Sequence, residues 1–304
     1  ATSVVAGASA MAREFLREEV GITTPGSDLI RALLVNGAED IGEQDVPNSR
    51  EGWGQLNISN SLLPKSNGVN LSVFYDQERQ LMPGHSFIYT FEVSGSSGID
   101  VTLAWNDIEG SASAAQNASR LVNNLDLVVT SPTGEIYNGN NFANGISQTT
   151  QFSDQLNNLE RVRLPSSQSG LWSVQVGHAG GFVQDFSLVL AADAEERQEA
   201  DLTVVSNSIF TSENSPLKGD TISMQLSWIN QAAAPTGDYS ISLRDITDGV
   251  EIGTYSMPSL VGGGIETFSI YHSFSTTGTH IVRLTLDHFS EVVELNDENS
   301  GTNN

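Results

Sequence analysis

Apolar side chains recur at helical spacing in two stretches near the start of the chain. Over residues 1–19 they return every three or four positions from Val4 to Leu16, which is the period of a helix that packs one face on a core. Over residues 27–36, Ser27 can act as the N-cap of a second helix. The apolar face of this second stretch consists of Leu29, Ile30, Leu33 and Leu34. The pattern therefore predicts two amphipathic helices.

From residue 65 onward, strict alternation of apolar and polar residues replaces the helical period. The alternation is clearest over 86–93 and 99–105, and turn sequences rich in Gly, Pro and Ser separate such runs. A charged stretch at 193–200 precedes a second series of alternating segments. Short strands at this spacing predict antiparallel β-structure, a jelly roll or barrel over 65–192. The roughly 100 residues of 201–304 predict an immunoglobulin-like sandwich.

The amino-acid composition argues against two classes of binding partner, nucleic acid and anionic membranes. The 304 residues include 13 Lys and Arg against 37 Asp and Glu, for a net charge of −24. Such a polyanion repels nucleic acid and anionic membrane surfaces, so we expect neither as a partner. No apolar run approaches the roughly 20 residues of a membrane-spanning helix. The chain has no Cys, so core size and bound metal ions are the remaining sources of stability for an extracellular protein.

Two motifs in the first 64 residues resemble subtilisin-like serine proteases. Residues 1–7, Ala-Thr-Ser-Val-Val-Ala-Gly, resemble the segment that follows the family's nucleophilic serine, with Ser3 where proline is usual. Residues 52–57, Gly-Trp-Gly-Gln-Leu-Asn, resemble the signature that ends the catalytic domain. The resemblance implies that residues 1–64 are the C-terminal part of that α/β catalytic domain. It also implies a nucleophilic serine two positions before Ala1.

The resemblance extends into the β-regions. Residues 103–107 and 121–127 are similar to the β-domain of larger subtilisins and to the P domain of kexin-like proteases. Trp228-Ile229-Asn230 and the acidic ending at 293–299 resemble the bacterial CARDB-type module. The predicted order is a helical remnant of the α/β domain at 1–64, a jelly roll or barrel at 65–192, a linker at 193–200 and an immunoglobulin-like module at 201–304.

A subtilisin-type active site requires Asp, His and Ser, and by this resemblance all three lie outside the chain. We therefore expect the chain alone to be inactive and to hold no catalytic residue. It retains Thr2, Val5 and Gly7 on the helix behind the nucleophile, whose N-terminal dipole favours a developing oxyanion. The five His residues fall in the β-regions, where we expect packing or surface roles.

Calcium is the expected cofactor, since it prefers six to eight hard oxygen ligands. Candidate ligands in the middle domain are Asp107, Asn124, Asp126, Asn140, Asn141 and Asp154. The resemblance implies calcium there, although Asn124 stands where the family's motif is acidic. The alternative is that these residues only cap turns and brace loops.

Two functions remain open. The first is the C-terminal portion of a secreted subtilisin-like endopeptidase, which reaches protein and peptide substrates through its catalytic domain. The second is a non-catalytic extracellular binding or adhesion protein, whose immunoglobulin-like module contacts a surface polymer or a protein. Residues 1–64 favour the protease, because they bury an apolar face for which we predict no sheet in this chain. We therefore expect Val4, Leu29 and Leu33 to be exposed or poorly packed.

Overall fold

The chain divides into two compact units, Ala1–Arg197 and Gln198–Asn304. A computed structural model describes residues 2–43, 45–95, 97–113, 119–197, 199–205, 210–213 and 215–294. Ala1 and residues 295–299 of the predicted acidic ending therefore lie outside the described residues. Within those ranges no helix combines the length and the hydrophobicity needed to cross a bilayer.

The first unit opens with three helices, α1 (Thr2–Glu18), α2 (Ser27–Asn36) and α3 (Ile58–Leu62). Helix α1 buries Ala8, Ala12 and Leu16, whereas Val4 is 67% exposed and Val5 is 46% exposed. The N-cap of α2 is Gly26 rather than the predicted Ser27, and no side chain caps this helix. Residues 2–7 of α1 are thus exposed in the described structure, whereas one face of the rest of the helix packs inward.

Two antiparallel sheets follow in the same unit. Their strands and two small hairpins are β1 (Lys65–Ser66), β2 (Val69–Asn70), β3 (Ser72–Leu81), β4 (Ser86–Val93), β5 (Ile99–Ala104), β6 (Asn124–Thr130), β7 (Ile136–Asn138), β8 (Phe142–Ala143), β9 (Ile146–Ser147), β10 (Leu159–Leu164), β11 (Gly170–Gly180), β12 (Gln184–Ala192) and β13 (Ala194–Glu196). One sheet has the order β10-β5-β12-β3, and the other has the order β13-β4-β11-β6-β7. Strand β13 lies within the predicted linker and pairs with β4.

Helix α2 packs on the four-stranded sheet of this unit. Leu29 and Leu33 are fully buried in one cluster with Ala104, Leu159 and Val189. The expectation that this helix face lacks a sheet in the chain is therefore wrong. The physical reason is that the sheet is apolar on both faces, as the nearly continuous burial of β12 shows.

Buried polar contacts fix α2 on the sheet. Arg161 on β10 is 1% exposed at its side chain and donates to Asp100 Oδ1 at 2.7 Å and Oδ2 at 2.6 Å. The same guanidinium donates to the main-chain oxygen of Asn36 at the end of α2, at 2.7 Å. Closer to the start of the helix, Arg31 donates to the main-chain oxygen of Trp105 at 2.7 Å. Hydrogen bonds from two arginine side chains thus hold the helix on the sheet in addition to apolar packing.

The second unit is also built from two antiparallel sheets. Its strands are β14 (Leu202–Val204), β15 (Phe210–Thr211), β16 (Thr221–Asn230), β17 (Tyr239–Asp245), β18 (Val250–Met257), β19 (Ile265–Ser273) and β20 (Val282–Thr285). One sheet joins β14, β15 and β19 to β16, and the other has the order β18-β17-β20. Trp228 and Tyr239 are buried in the core, where the indole N–H donates to the phenol oxygen at 2.6 Å.

Candidate metal centre

Strand β6 presents two polar side chains at its beginning. Leu125 and Leu127 are fully buried, and because side chains alternate along a strand, Asn124 and Asp126 lie on the opposite face. The Asn124 amide lies 3.4 Å from Asp126 Oδ1. Burial raises the pKa of Asp126, although hydrogen bonds from Ser153 and Asn124 oppose that rise.

An acidic residue of a different strand, Glu160 on β10, lies beside this pair. Its side chain is fully buried, and its Oε2 accepts a hydrogen bond from the backbone N–H of Leu127 at 2.7 Å. Burial raises the pKa of Glu160 well above its ordinary value, and the negative charges of Asp126 and Asp154 add to the rise. Gly139 is needed at this point, because a Cβ there would overlap Oε2 and Cβ of Glu160.

The loop before β10 supplies Asp154. Its Oδ2 accepts hydrogen bonds from the side-chain amides of Asn140 and Asn157, each at 2.6 Å, and its Oδ1 accepts from the N–H of Leu156 at 2.8 Å. The Asn140 amide also donates to the main-chain oxygen of Leu159 at 2.7 Å. These contacts hold the loop against β10 and keep the carboxylate near Glu160.

Two buried oxygens of this group, Glu160 Oε1 and Asn124 Oδ1, have no hydrogen-bond partner among the residues that the structure describes. An unpartnered buried carboxylate is costly unless a cation or a proton neutralises it. The surrounding donors are carboxylate and amide oxygens, which suit a hard cation such as Ca²⁺. His178 lies near Asp126, but its Nε2 is 2.6 Å from the main-chain oxygen of Phe182, consistent with a packing role. The donor atoms of this group are thus of the kind that a calcium ion prefers.

The structure brings together only part of the predicted ligand set. Asn124 contacts Asp126, and Asp154 lies close enough to Asp126 to influence its charge. Asn140 donates to Asp154 and lines one cleft with it and with Asn141. The carboxylate of Asp107 is instead bound to the backbone, since it accepts hydrogen bonds from the N–H groups of residues 108, 122 and 123. Asn141 donates its amide to the main-chain oxygen of Gln148 at 3.0 Å, beside the β8–β9 hairpin.

The sequence does not point to Glu160, because its strand, Leu159–Leu164, contains three charged residues and gives no sign that five of its six positions are buried. Lys, Glu, Arg and Asp are almost never fully buried unless paired. The neighbouring Arg161 forms an ion pair with Asp100, whereas Glu160 lies near two other carboxylates, those of Asp126 and Asp154.

The second unit holds another group of potential ligands. His280 Nδ1 lies 2.6 Å from Asp245 Oδ2 and 3.8 Å from Asp248 Oδ2. The hydrogen bond to Asp245 raises the pKa of His280. Burial works against ionisation of Asp245, yet hydrogen bonds from His280 and from two backbone N–H groups lower its pKa overall. These contacts join two loops of the module.

The residues predicted to support a catalytic serine lie on the uncovered part of the first unit. Thr2, Val5 and Gly7 are all exposed in the first two turns of α1. Apart from adjacent residues and the nearby backbone of the same helix, no described heavy atom lies within 4 Å of the position that a Cβ on Gly7 would occupy. These residues contact nothing that the structure describes on their outer side.

Comparison with known proteins finds a family model that matches the second unit. Residues 199–304 match the family model described as CARDB. This CARDB module is the immunoglobulin-like β-unit of the chain. The matched span also begins close to the start of the second unit, Gln198.

A relative from Dictyostelium discoideum, named serine protease/ABC transporter B family protein tagA, is 27% identical over 193 residues. The alignment covers 58% of this chain and 11% of that protein, so the chain spans about a tenth of its length. This similarity links the chain to a protein that carries a protease name.

Two solved structures show weaker similarity. The CARDB domain of a Pyrococcus furiosus protein, in complex with di-metal ions, is 18% identical, with a TM-score of 0.29 and coverage of 34% of this chain and 82% of that one. A GH2 beta-galacturonidase from Eisenbergiella tayi is 11% identical, with a TM-score of 0.25 and coverage of 71% and 41%. Similarities at this level assign no ligand to the present chain.

Proposed function

We propose that this chain is the non-catalytic C-terminal part of a secreted subtilisin-like serine endopeptidase. The observation that carries the proposal is the uncovered start of α1, where small and apolar residues with a subtilisin-like order face solvent. Val4 is 67% exposed and Met11 is 53% exposed, although both belong to the apolar pattern. A catalytic domain packed on this helix would cover them. The protease name of the Dictyostelium relative supports the same function.

In this proposal the chain contributes no triad residue. Thr2, Val5 and Gly7 would support the helix whose N-terminus faces the reacting carbonyl, where the helix dipole favours negative charge. Peptide substrates would be bound by the catalytic domain, and the β-units would stabilise that domain outside the cell. The net charge of −24 argues against nucleic acid and anionic membranes as partners.

A polypeptide extended upstream of Ala1 tests the protease proposal. We expect the extended protein to react with a fluorophosphonate probe at a serine two positions before Ala1 and to cleave casein. The present chain should do neither. If the encoding DNA lacks Gly-Thr-Ser-Met at this point, or if the extended protein stays unlabelled, the protease proposal fails.

We further propose that residues 65–192 form a jelly roll. The strand order supports this, because successive long strands alternate between the two sheets: β3, β5, β10 and β12 lie in one sheet, and β4, β6 and β11 lie in the other. Such alternation is what two Greek keys folded across one core produce.

We propose that Ca²⁺ binds to the acidic group of this domain through Asn124, Asp126, Asp154 and Glu160. The ion would supply positive charge between β6, β10 and the loop that carries Asp154, and thereby hold these segments together. The support is the pair of unpartnered oxygens on Glu160 and Asn124. Asp107 and Asn141 are engaged with other groups, so we assign them no role as ligands.

Calcium titration followed by thermal unfolding tests this site. At calcium a hundredfold above Kd, we expect about 2.7 kcal/mol of added stability. The Asp126→Asn variant should lose this response, whereas Asp185→Asn, which removes an exposed carboxylate from the same unit, should keep it. A chain whose unfolding does not respond to calcium, or an Asp126→Asn variant with the full response, would refute the assignment.

The alternative function is an extracellular binding or adhesion protein. The CARDB module is the observation that favours it, because the module forms a compact unit of its own. If the protease test fails, binding of a surface polymer or a protein by this module becomes the leading proposal.

A further inference from the structure

A cleft of about 460 Å³ opens in the first unit, between the segment before α3 and the loops that follow β7 and precede β10. Two aromatic rings, Trp53 and Phe152, line it together with the side chains of Asn141, Asp154 and Asn157. Its volume lies within the range of roughly 300–1,000 Å³ that small-molecule sites occupy. The cleft therefore combines flat apolar surfaces with hydrogen-bonding groups.

The two aromatic side chains differ in how firmly the protein holds them. Trp53 is half-buried, because it packs against the apolar cluster of α1 and α2 and its ring meets Phe142 edge-on, with 6.0 Å between the ring centroids. Phe152 is 85% exposed. Trp53 thus offers a ring in a fixed position, and Phe152 offers a large apolar surface that a ligand in the cleft can cover.

The amides at the cleft are oriented by contacts with the protein. Asn141 donates one N–H to the main-chain oxygen of Gln148 at 3.0 Å, and Asn157 donates one to Asp154 Oδ2 at 2.6 Å. A side-chain amide has two N–H donors and one carbonyl acceptor. Within the contacts that the structure describes, both amides therefore keep a donor and an acceptor for a ligand. Such a pair of groups matches adjacent hydroxyl groups, each of which donates and accepts.

The charge of the cleft favours a neutral ligand. None of the described residues that line it is Lys, Arg or His, so an anion would find no counter-charge. Its carboxylate, Asp154, already accepts three hydrogen bonds, from Asn140, Asn157 and the backbone N–H of Leu156. A cation would therefore compete with these donors for the carboxylate, whereas a neutral molecule can use the amides as they stand.

A neutral molecule with adjacent hydroxyl groups and flat C–H faces is a sugar. In chains of β-1,4-linked glucose or N-acetylglucosamine the substituents lie around the rim of each ring, so that both faces present C–H groups to an aromatic surface. We propose that the cleft binds a neutral glycan chain of this kind. Trp53 and Phe152 contact its ring faces, and the amides of Asn141 and Asn157 bond its hydroxyl groups.

Tryptophan fluorescence reports directly on this cleft. Of the four Trp residues, Trp105, Trp172 and Trp228 are at most 3% exposed, whereas Trp53 is partly exposed. The probes are cellohexaose and N-acetylchitohexaose, each added to the full chain. We expect at least one of them to protect Trp53 from acrylamide quenching and to give a saturable signal in calorimetry. Hexagalacturonate, which is anionic, should do neither.

Variants place the binding in the cleft. Phe152→Ala should weaken glycan binding at least about fivefold, because it removes an aromatic contact surface. The matched control is Phe182→Ala, which removes a ring that is 65% exposed in the same unit but does not line the cleft, and it should bind normally. Thermal unfolding verifies that both variants fold.

Asp154 is shared with the candidate calcium site, so the titrations are made both in calcium and in EDTA. Glycan binding in a chain whose unfolding does not respond to calcium would support the glycan site and refute the calcium site. A calcium response without glycan binding would do the reverse. Neither result depends on the serine expected before Ala1, so the protease proposal is tested separately.

Three outcomes would overturn the glycan site. One is the absence of binding by both neutral hexasaccharides. Another is equal binding of hexagalacturonate, or unweakened binding by a folded Phe152→Ala variant. The third is protection of Trp53 by a casein digest but by neither glycan, which would assign the cleft to peptides.

Discussion

Removal of the Asp100 carboxylate is expected to leave a buried cation without its counter-ion. In the folded chain, Arg161 is 1% exposed and donates two hydrogen bonds to that carboxylate. In Asp100→Ala the guanidinium keeps one described acceptor, the main-chain oxygen of Asn36. Breaking a buried pair from one side costs about 3–5 kcal/mol. Because the Asp100 side chain is 17% exposed, we expect the lower end, about 3 kcal/mol.

Urea unfolding measures this loss. With an m-value of about 2 kcal/mol/M, a loss of about 3 kcal/mol lowers the midpoint by about 1.5 M. A double variant, Asp100→Leu with Arg161→Met, removes both charges and should recover more than half of the loss, since hydrophobic replacements of buried pairs are often neutral. A midpoint shift below about 0.3 M in Asp100→Ala would refute the reasoning. So would a double variant as unstable as the single one.

Three further changes have defined outcomes. Leu33→Ala should cost about 2–5 kcal/mol in urea unfolding, because it empties a buried site, whereas Val4→Ala should change stability by less than about 0.5 kcal/mol. The hydrogen bond to Asp245 raises the pKa of His280 above 6.5. Protonated His280 therefore stabilises the fold fully below pH 6.5, and this stabilisation is lost as the pH rises through the raised pKa. In His280→Gln, the melting temperature should no longer show this decrease between about pH 6 and 9. Gly139→Ala should lower the melting temperature by the equivalent of about 1–3 kcal/mol, because its Cβ would press on a buried carboxylate.

Local patterns predicted the elements well where one face is buried. The alternation over 86–93 and the helical period of 27–36 each match an observed element, β4 and α2. The contact between α2 and the sheet was not predictable in the same way, because it depends on which sheet face the helix meets. Burial on both faces of β12 is a property of the assembled fold. The clue in the sequence was the unbroken apolar run from Leu188 to Ala192.

The candidate metal centre was likewise predictable from the sequence only in part. Acidic and amide residues in loops pointed to oxygen ligands, and three of them converge. Their spacing could not exclude Asp107, because its binding to backbone N–H groups depends on how the loop after β5 returns to β6. The spacing also could not identify Glu160, because this residue joins the group only when β10 packs against β6 in the folded chain. Ligand sets from distant strands are set by topology rather than by local sequence.

Hydrogen exchange should distinguish the two ends of the helical region. If α2 is bound to the sheet by Arg31, Arg161 and its buried leucines, its amides can exchange only when the sandwich opens as well, so their exchange free energy should equal that of β5. The first two turns of α1 have no such contacts, and their amides should exchange at least a hundredfold faster. Fast exchange throughout α2 would mean that the contacts with the sheet do not persist in solution. Slow exchange at the start of α1 in a monomer would remove the main structural reason for proposing a missing catalytic domain over that helix.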